Sequence, residues 1–418
     1  MKNGSHSTGL EVRVEEQSHT RSSMSNVKWT IGIESTAHTF SFGLVNPEGI
    51  PYPSVGDTIK PLEGGIHPRE AADHHRDYAG KLFQEVLHSQ NLNPSDIGAI
   101  AYSQGPGLGP CLRIGASVAR TISSKLNVPL IGVNHCVAHI EIGRQQCECD
   151  DPVLLYVSGG NTQVIAKLQG KYRVLGETLD IGIGNMLDKF ARQQGIPFPG
   201  GPVIEKLAKE FIDENPNASL DGLELPYPVR GMDLAFSGIL TAAQRLIEKG
   251  HSLGAVCWSL QEHAFAACIE VAERALAHSG KKEVLLGGGV ACNNRLREMS
   301  TLMASEREST SHAPPRMYCI DNGTMIGLLG HIELKTGRKT PFESELFRAC
   351  GRFCGDGRAS FVWVRSLRFF WRTWFAFAAN GLNGSSGFLR RSRILNPPII
   401  ESHCRLVKNN PLIMPNSS

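Results

Sequence analysis

The sequence predicts an α/β protein with mixed sheets, built as two halves of one style. Three observations carry this. Segments of strand, glycine turn and helix alternate along most of the chain, the rhythm of strands joined through helices. Two stretches, Val27 to Val45 and Val153 to Leu168, each read as strand, small-residue turn, strand. Finally, 418 residues that are 41% hydrophobic and 20% charged suffice for two domains of ordinary size with sizeable cores.

Taken in order, WTIGIESTAHTFSFGLV is a β-branched run, a turn of Ser, Thr and Ala, and a second alternating run. From Pro68 the pattern becomes helical, with Ala71, Ala72, His75, Tyr78, Ala79, Leu82, Phe83 and Val86 on or near one face. Ile97 to Tyr102 is a short buried strand running into the turn SQGPGLGP, followed by a helix from about Ile114 to Leu126. The strand PLIGV leads to a helix opened by Asn134. In the second half, the strand Val153 to Val157 ends in SGGNT, and Thr162 to Leu168 leaves it. GETLDIGIGNMLDKFARQQG and FPGGPVIEKLAKEF are loops feeding helices, and VLLGGGVACNNRLREM is a strand, a glycine turn and a helix. IDNGTMIGLLGHIELK opens a last helix after a turn.

Composition narrows the function. No run of 18 or more apolar residues occurs, and Met1 to Asn26 is polar without an apolar core segment, so neither a membrane span nor a secretory signal is expected. The eleven cysteines include no CxxC; Cys147 and Cys149 form a CxC, Cys350 and Cys354 a CxxxC. They read as reduced thiols of a cytoplasmic protein. From Phe347 to Ser418, eleven basic residues face two acids, so the tail carries +9 and leaves −6 for the rest of a chain whose net charge is +3. A body of that charge needs a local patch or a basic partner to hold a nucleic acid.

Two motifs carry chemistry. His135 and His139 in VNHCVAHIEIGR are spaced i, i+4, so on a helix both imidazoles leave one face and can share a metal ion at about 2 Å. A bare HxxxH is more often a pair of partly buried helix histidines. Context changes the balance: Asn134 can cap the helix, and Asp321, at another helix start, can add an oxygen ligand. A zincin-type protease is excluded, because the position of its glutamate base holds Cys136. Two imidazoles and a carboxylate suit Fe(II) or Zn. The second motif is the set of glycine turns SGGN, GIGN, PGG and GGGV, two of which lead into helices, where backbone N–H groups can cradle a phosphate. There is no GxxxxGK[ST] and no strand-linked GxGxxG, so neither a P-loop nor a dinucleotide fold is supported.

Together VNHCVAHIEIGR, YVSGGNTQVIA, GETLDIGIGNMLDKFAR, GGVACNNRLREM and DNGTMIG closely resemble the universal tRNA N6-adenosine threonylcarbamoyltransferase family, in its archaeal form as the catalytic subunit of the KEOPS assembly. GGIHPREAADHH and SQGPGLGP carry the archaeal likeness, and the resemblance runs from about Val27 to Thr340. It implies two ribonuclease-H-like lobes of the actin, heat-shock ATPase and sugar kinase type, with ATP or an adenylate in the cleft between them. The expected division is a polar extension 1–26, lobe I 27–150, lobe II 151–345 with the helix after Asp321 returning to the cleft, and a basic, aromatic tail 346–418. The implied metal ligands are His135, His139, Tyr156 and Asp321, holding one divalent ion per subunit. The implied adenylate contacts are Tyr156, Val157, Ser158, Gly159 and Gly160, with Asp188, Gly201, Glu205 and Asn293.

The implied reaction moves a threonylcarbamoyl group from threonylcarbamoyl-AMP to N6 of adenine 37 in tRNAs that read ANN codons. Implied partners are tRNA and the KEOPS subunits: a small kinase or ATPase, a dimerising subunit and a kinase regulator. His38, His74 and His75 are candidates for a general base, each also explicable as structural. The rival readings are a sugar-kinase-like phosphotransferase and a non-catalytic ATP-binding scaffold. The tail departs from the family pattern, and no kinase glycine loop, HRD or DFG follows PFESE.

Overall fold

The computed structural model describes residues 28–60 and 67–341. The polar extension and the basic tail read from the sequence lie outside the described residues.

The first half runs β1 (Trp29–Glu34), β2 (Thr39–Val45), β3 (Val55–Thr58), α1 (Pro68–His88), β4 (Ile97–Gly105), α2 (Gly109–Leu126), β5 (Leu130–Asn134) and α3 (His135–Cys147). The second runs β6 (Val153–Val157), β7 (Thr162–Leu168), β8 (Lys171–Glu177), α4 (Ile183–Gln193), α5 (Gly201–Glu214), a ribbon of β9 (Val229–Arg230) and β10 (Asp233–Leu234), α6 (Ser237–Glu248), α7 (Leu253–Ser279), β11 (Glu283–Gly287), α8 (Asn294–Glu306) and β12 (Thr310–His312). The one-turn α9 (Arg316–Cys319) and then α10 (Gly323–Lys335) follow.

The two halves are topological copies. The first sheet has the order β3-β2-β1-β4-β5 and the second the order β8-β7-β6-β11-β12. In each, the first three strands are antiparallel neighbours and the last two join in parallel. This is the ribonuclease-H-like arrangement twice over, so the likeness glimpsed in the sequence is one of connectivity.

Helices cover both faces of both sheets, which the buried parallel strands require. Leu82, Val86, Ala116 and Ala119 from α1 and α2 pack on one face of the first sheet with Ile31, Phe40 and Ile100. Ala138 and Ile142 of α3 join Met325 and Leu329 of α10 on its other face. The opposite side of α3, Cys136 and Ile140, packs on Leu154, Ile165 and Leu285 of the second sheet. Thus α3 is sandwiched between the two sheets, which is why apolar residues line two of its faces. The far side of the second sheet carries the largest core, built from α4 to α8.

Two helix starts differ from the sequence reading. The helix expected from about Ile114 begins at Gly109, inside SQGPGLGP, because Pro110 stands in its first turn, where no N–H partner is needed. The helix expected after GIGN begins within it, at Ile183 with Gly182 as cap.

One contact is unusually close. A Cβ on Gly32 of β1 would lie 2.1 Å from the Gly323 oxygen and the Gly327 nitrogen, and one on Gly43 of β2 would lie 2.0 Å from the Thr324 nitrogen. Helix α10 therefore rests on the first sheet backbone to backbone, and glycine is obligatory at the crossing.

Candidate functional site

Asn134 caps α3: its side-chain oxygen accepts from the Cys136 and Val137 amides at 2.9 and 3.1 Å. The cap fixes the first turn, so His135 and His139 leave the helix on one face with ring centroids 4.8 Å apart. Both are buried. Asp321 enters from the segment before α10, its Oδ1 lying 3.5 Å from His135 Nε2 and 3.2 Å from His139 Nε2. Tyr156, near the end of β6, brings its hydroxyl to 3.0 Å from His135 Nε2. All four residues expected at a metal centre thus meet at one point.

The sequence reading missed a fifth member. Glu34, fully buried at the end of β1, accepts a hydrogen bond from His135 Nδ1 at 2.9 Å through Oε2. Its other oxygen accepts from the Thr36 amide and hydroxyl. This carboxylate orients the imidazole and leaves Nε2 facing Asp321 and Tyr156, the arrangement that supports metal-bound histidines. Burial alone disfavours charge on His135, yet Glu34 and Asp321 hold its pKa well above the ordinary range. Burial alone would raise Asp321, but His135 holds it well below the usual carboxylate range. Burial, aided by the charge of His135, pushes His139 down. The donor atoms of His135, His139 and Asp321 all lie within 4.8 Å of one another. They fit a divalent ion, for which two imidazoles and a carboxylate suit Fe(II) or Zn.

Two residues beyond Tyr156 the chain turns through Ser158–Asn161. The turn is closed by its own bonds, Ser158 N–H to the Asn161 carbonyl and Asn161 N–H to Ser158 Oγ. The start of α4 braces it: the Gly184 and Asn185 amides donate to the Ser158 and Gly159 carbonyls. Gly159 and Gly160 are exposed, and their N–H groups have no acceptor among the described residues. A Cβ on Gly288 would lie 2.4 Å from the Val157 oxygen, so the GGGV turn abuts the same place.

The remaining expected adenylate contacts have partners of their own. Asp188 accepts from the Gly200 amide at 2.8 Å, Glu205 from the Asn294 amide at 2.8 Å. Asn293 caps α8 and donates to Gln261 at 2.7 Å. Burial raises the Asp188 pKa, against hydrogen bonds from Gly200 and Gly201 and the nearby His38. Of the three candidate bases, His74 is held by Asp57 at 2.8 Å and stacks on Tyr78. His75 is buried against Phe40, and its pKa is pushed down to about 4 by burial and by His74. His38 stands apart, half-buried in the β1–β2 turn with Phe198 edge-on at 6.0 Å.

The family model described as TsaD, tRNA N6-adenosine threonylcarbamoyltransferase, matches residues 54–328. The chain belongs to that family. Proteins from Thermoplasma volcanium and Methanocaldococcus jannaschii, both named probable bifunctional tRNA threonylcarbamoyladenosine biosynthesis proteins, are 52% and 51% identical over 316 and 311 residues. These alignments cover 75% and 74% of this chain but 58% and 56% of those relatives, so the chain spans little more than half their length. Among solved structures, component A of the Acidaminococcus fermentans (R)-2-hydroxyglutaryl-CoA dehydratase aligns over 74% of this chain and 99% of its own, at 11% identity and a TM-score of 0.48. HypF from T. kodakarensis aligns over 74% of this chain and 48% of its own, at 18% identity and the same TM-score. No helix among the described residues is long and apolar enough to cross a membrane.

Proposed function

We propose that the chain transfers a threonylcarbamoyl group from threonylcarbamoyl-AMP to N6 of adenine 37 in tRNAs reading ANN codons. AMP leaves and N6-threonylcarbamoyladenosine forms. The observation that carries this reading is the juxtaposition of the His135, His139 and Asp321 cluster and an amide-lined glycine turn, joined through Val157, the one residue between Tyr156 and Ser158.

Each part has a task. The free amides of Gly159 and Gly160 receive the donor's phosphate, whose charge grows as AMP departs. Val157, Ser158, Asp188, Gly201, Glu205 and Asn293 surround the nucleoside, with Asp188 and Glu205 placed for the ribose hydroxyls. Glu34 and Thr36 hold His135 in register, while His135, His139, Asp321 and Tyr156 would hold one divalent ion, Fe(II) or Zn. When bound, that ion supplies Lewis acidity toward the donor's carbonyl oxygens. The donor arrives activated, so no Ser or Cys nucleophile is required. The reading also assigns the chain to the cytoplasm, with KEOPS subunits supplying basic surface for the tRNA: a small kinase or ATPase, a dimerising subunit and a kinase regulator.

The test is mass spectrometry of tRNA nucleosides after incubating the full chain with its partner subunits, ANN-decoding tRNA and the adenylate. N6-threonylcarbamoyladenosine carrying label from threonine is expected. Label from the γ-phosphate of ATP arriving on a small molecule, with the tRNA unchanged, would overturn the reading in favour of a phosphotransferase.

A further inference from the structure

Gln261 of α7 stands outside every motif read from the sequence, and only 3% of it is exposed. Its Oε1 accepts from Asn293 Nδ2 at 2.7 Å in a buried bond. The direction of that bond is dictated by the main chain. The Arg295 and Leu296 amides at the start of α8 can only donate, and both donate to Asn293 Oδ1, at 2.9 and 3.2 Å. Asn293 must therefore turn its nitrogen toward Gln261, and Gln261 must answer with its oxygen. With Oδ1 filled twice and one Nδ2 hydrogen given away, the Asn293 side chain keeps a single N–H, which has no acceptor among the described residues.

The same helix start is tied to another residue assigned to the donor. The Asn294 amide donates to Glu205 at 2.8 Å, so the carboxylate proposed for the ribose and the Asn293 amide meet at adjoining residues. Helix α7 holds this corner twice. Gln261 holds it from the buried side, and Glu262, the next residue, through a two-oxygen clamp on Arg295 at 2.7 and 2.8 Å. The partly exposed clamp can fasten α8 to α7, but only Gln261 reaches the Asn293 amide. The amide cannot turn over instead, because its N–H groups would then face those of α8.

We infer that Gln261 is a positioning residue of the donor site, holding the Asn293 amide so that its remaining N–H meets an acceptor atom of the nucleoside. The inference rests on the transfer reading above, which puts the adenylate against Asn293. An apolar side chain in place of Gln261 leaves the Asn293 nitrogen without its buried acceptor. The amide then loses its fixed plane, and the nucleoside loses an ordered donor.

Titration of ATP into the full chain with its partner subunits, beside KM for the adenylate in tRNA modification, tests this. Gln261→Met keeps the length of the side chain and suits the apolar surroundings of α7. It should weaken ATP binding and raise KM for the adenylate by about 5- to 50-fold, with a smaller change in kcat and with metal content unchanged. Asn293→Ser keeps a capping oxygen for α8 but is too short to reach Gln261, so adding Gln261→Met to it should cause no further loss. Glu262→Gln loosens the clamp alone and should shift ATP affinity by about threefold at most. Wild-type ATP affinity in Gln261→Met, losses that multiply in the double variant, or an equal loss in Glu262→Gln would overturn the assignment. Wild-type protein that binds ATP yet leaves tRNA unmodified would overturn the transfer reading, and the ATP comparison would still decide the role of Gln261.

Discussion

The turns Ser35–His38 and Ser158–Asn161 occupy the same place in two topologically identical halves, yet they are built from opposite materials. The first presents side chains: Glu34 and Thr36 reach His135, and His38 points toward the other half. The second presents backbone, with two exposed glycines whose amides have no acceptor among the described residues. A side-chain turn can handle protons and steer a metal ligand, whereas a glycine turn lets a phosphate approach the main chain. One scaffold, used twice, thus divides labour by exchanging side chains for amides. The difference lies in four residues on each side.

The division predicts that the two functions separate by mutation. The largest effect is expected from His139→Ala, which should lose metal and transfer activity, several kcal/mol of transition-state stabilisation, while staying folded and keeping nucleotide affinity. Elemental analysis and nucleotide titration check it, and normal turnover by a metal-free variant would remove the metal centre from the mechanism. Next comes pH. Burial and the neighbouring His74 push the His75 pKa down from an ordinary 6.5 to about 4, so its contribution is complete above about pH 6.5. It is lost as pH falls toward 4, because the unfolded chain takes up the proton first, and the loss levels off at about 3 kcal/mol. Urea unfolding at pH 7 and pH 4.5 should show a smaller loss in His75→Gln than in wild type; equal losses would contradict the assignment.

Glu34→Gln should lower metal affinity about 10- to 100-fold, the effect of removing a carboxylate that orients a ligand. Competition with a chelator measures it, and undiminished affinity would mean that Asp321 alone sets the imidazole. The smallest effect belongs to the other turn. In Gly182→Ala the new methyl would lie 2.5 Å from the Gly159 oxygen, so the turn must shift at about 1–3 kcal/mol. Nucleotide affinity should fall about tenfold. Metal content should not change, and if both fall together the two turns are not independent.

Much of this was legible in the sequence, for local reasons. Pro68 and Asn134 announce helix starts because capping is decided within three or four residues. The strand pairs β1–β2 and β6–β7 show through alternation and small turns. Glu34 was not legible, because a carboxylate between a strand and a Ser-Thr turn looks like a solvated turn residue. Its partner stands 101 residues away, and only folding buries it. Helix α7 has buried residues on nearly every side, from Ala255 to Leu276, so it lacks the one-sided stripe that marks a surface helix. The short strands β3, β9, β10 and β12 are too brief for a period. Asn293 is implied as a nucleotide contact by the family motif alone; its capping bonds and its link to Gln261, 32 residues away, depend on the fold.

The glycine crossing of α10 over β1 and β2 bears on how the metal site tolerates change. Asp321 sits just ahead of a helix whose height above the sheet is set by main-chain atoms touching main-chain atoms. Side-chain substitutions elsewhere in the first sheet's core should therefore cost stability without altering the height of α10 above β1 and β2, whereas its spacing from α3 is filled by Ala138, Ile142, Met325 and Leu329. That height behaves like a machined dimension, independent of the filling around it. The same rigidity makes Gly32, Gly43 and Gly323 the positions where one added methyl would throw the Asp321 carboxylate out of alignment.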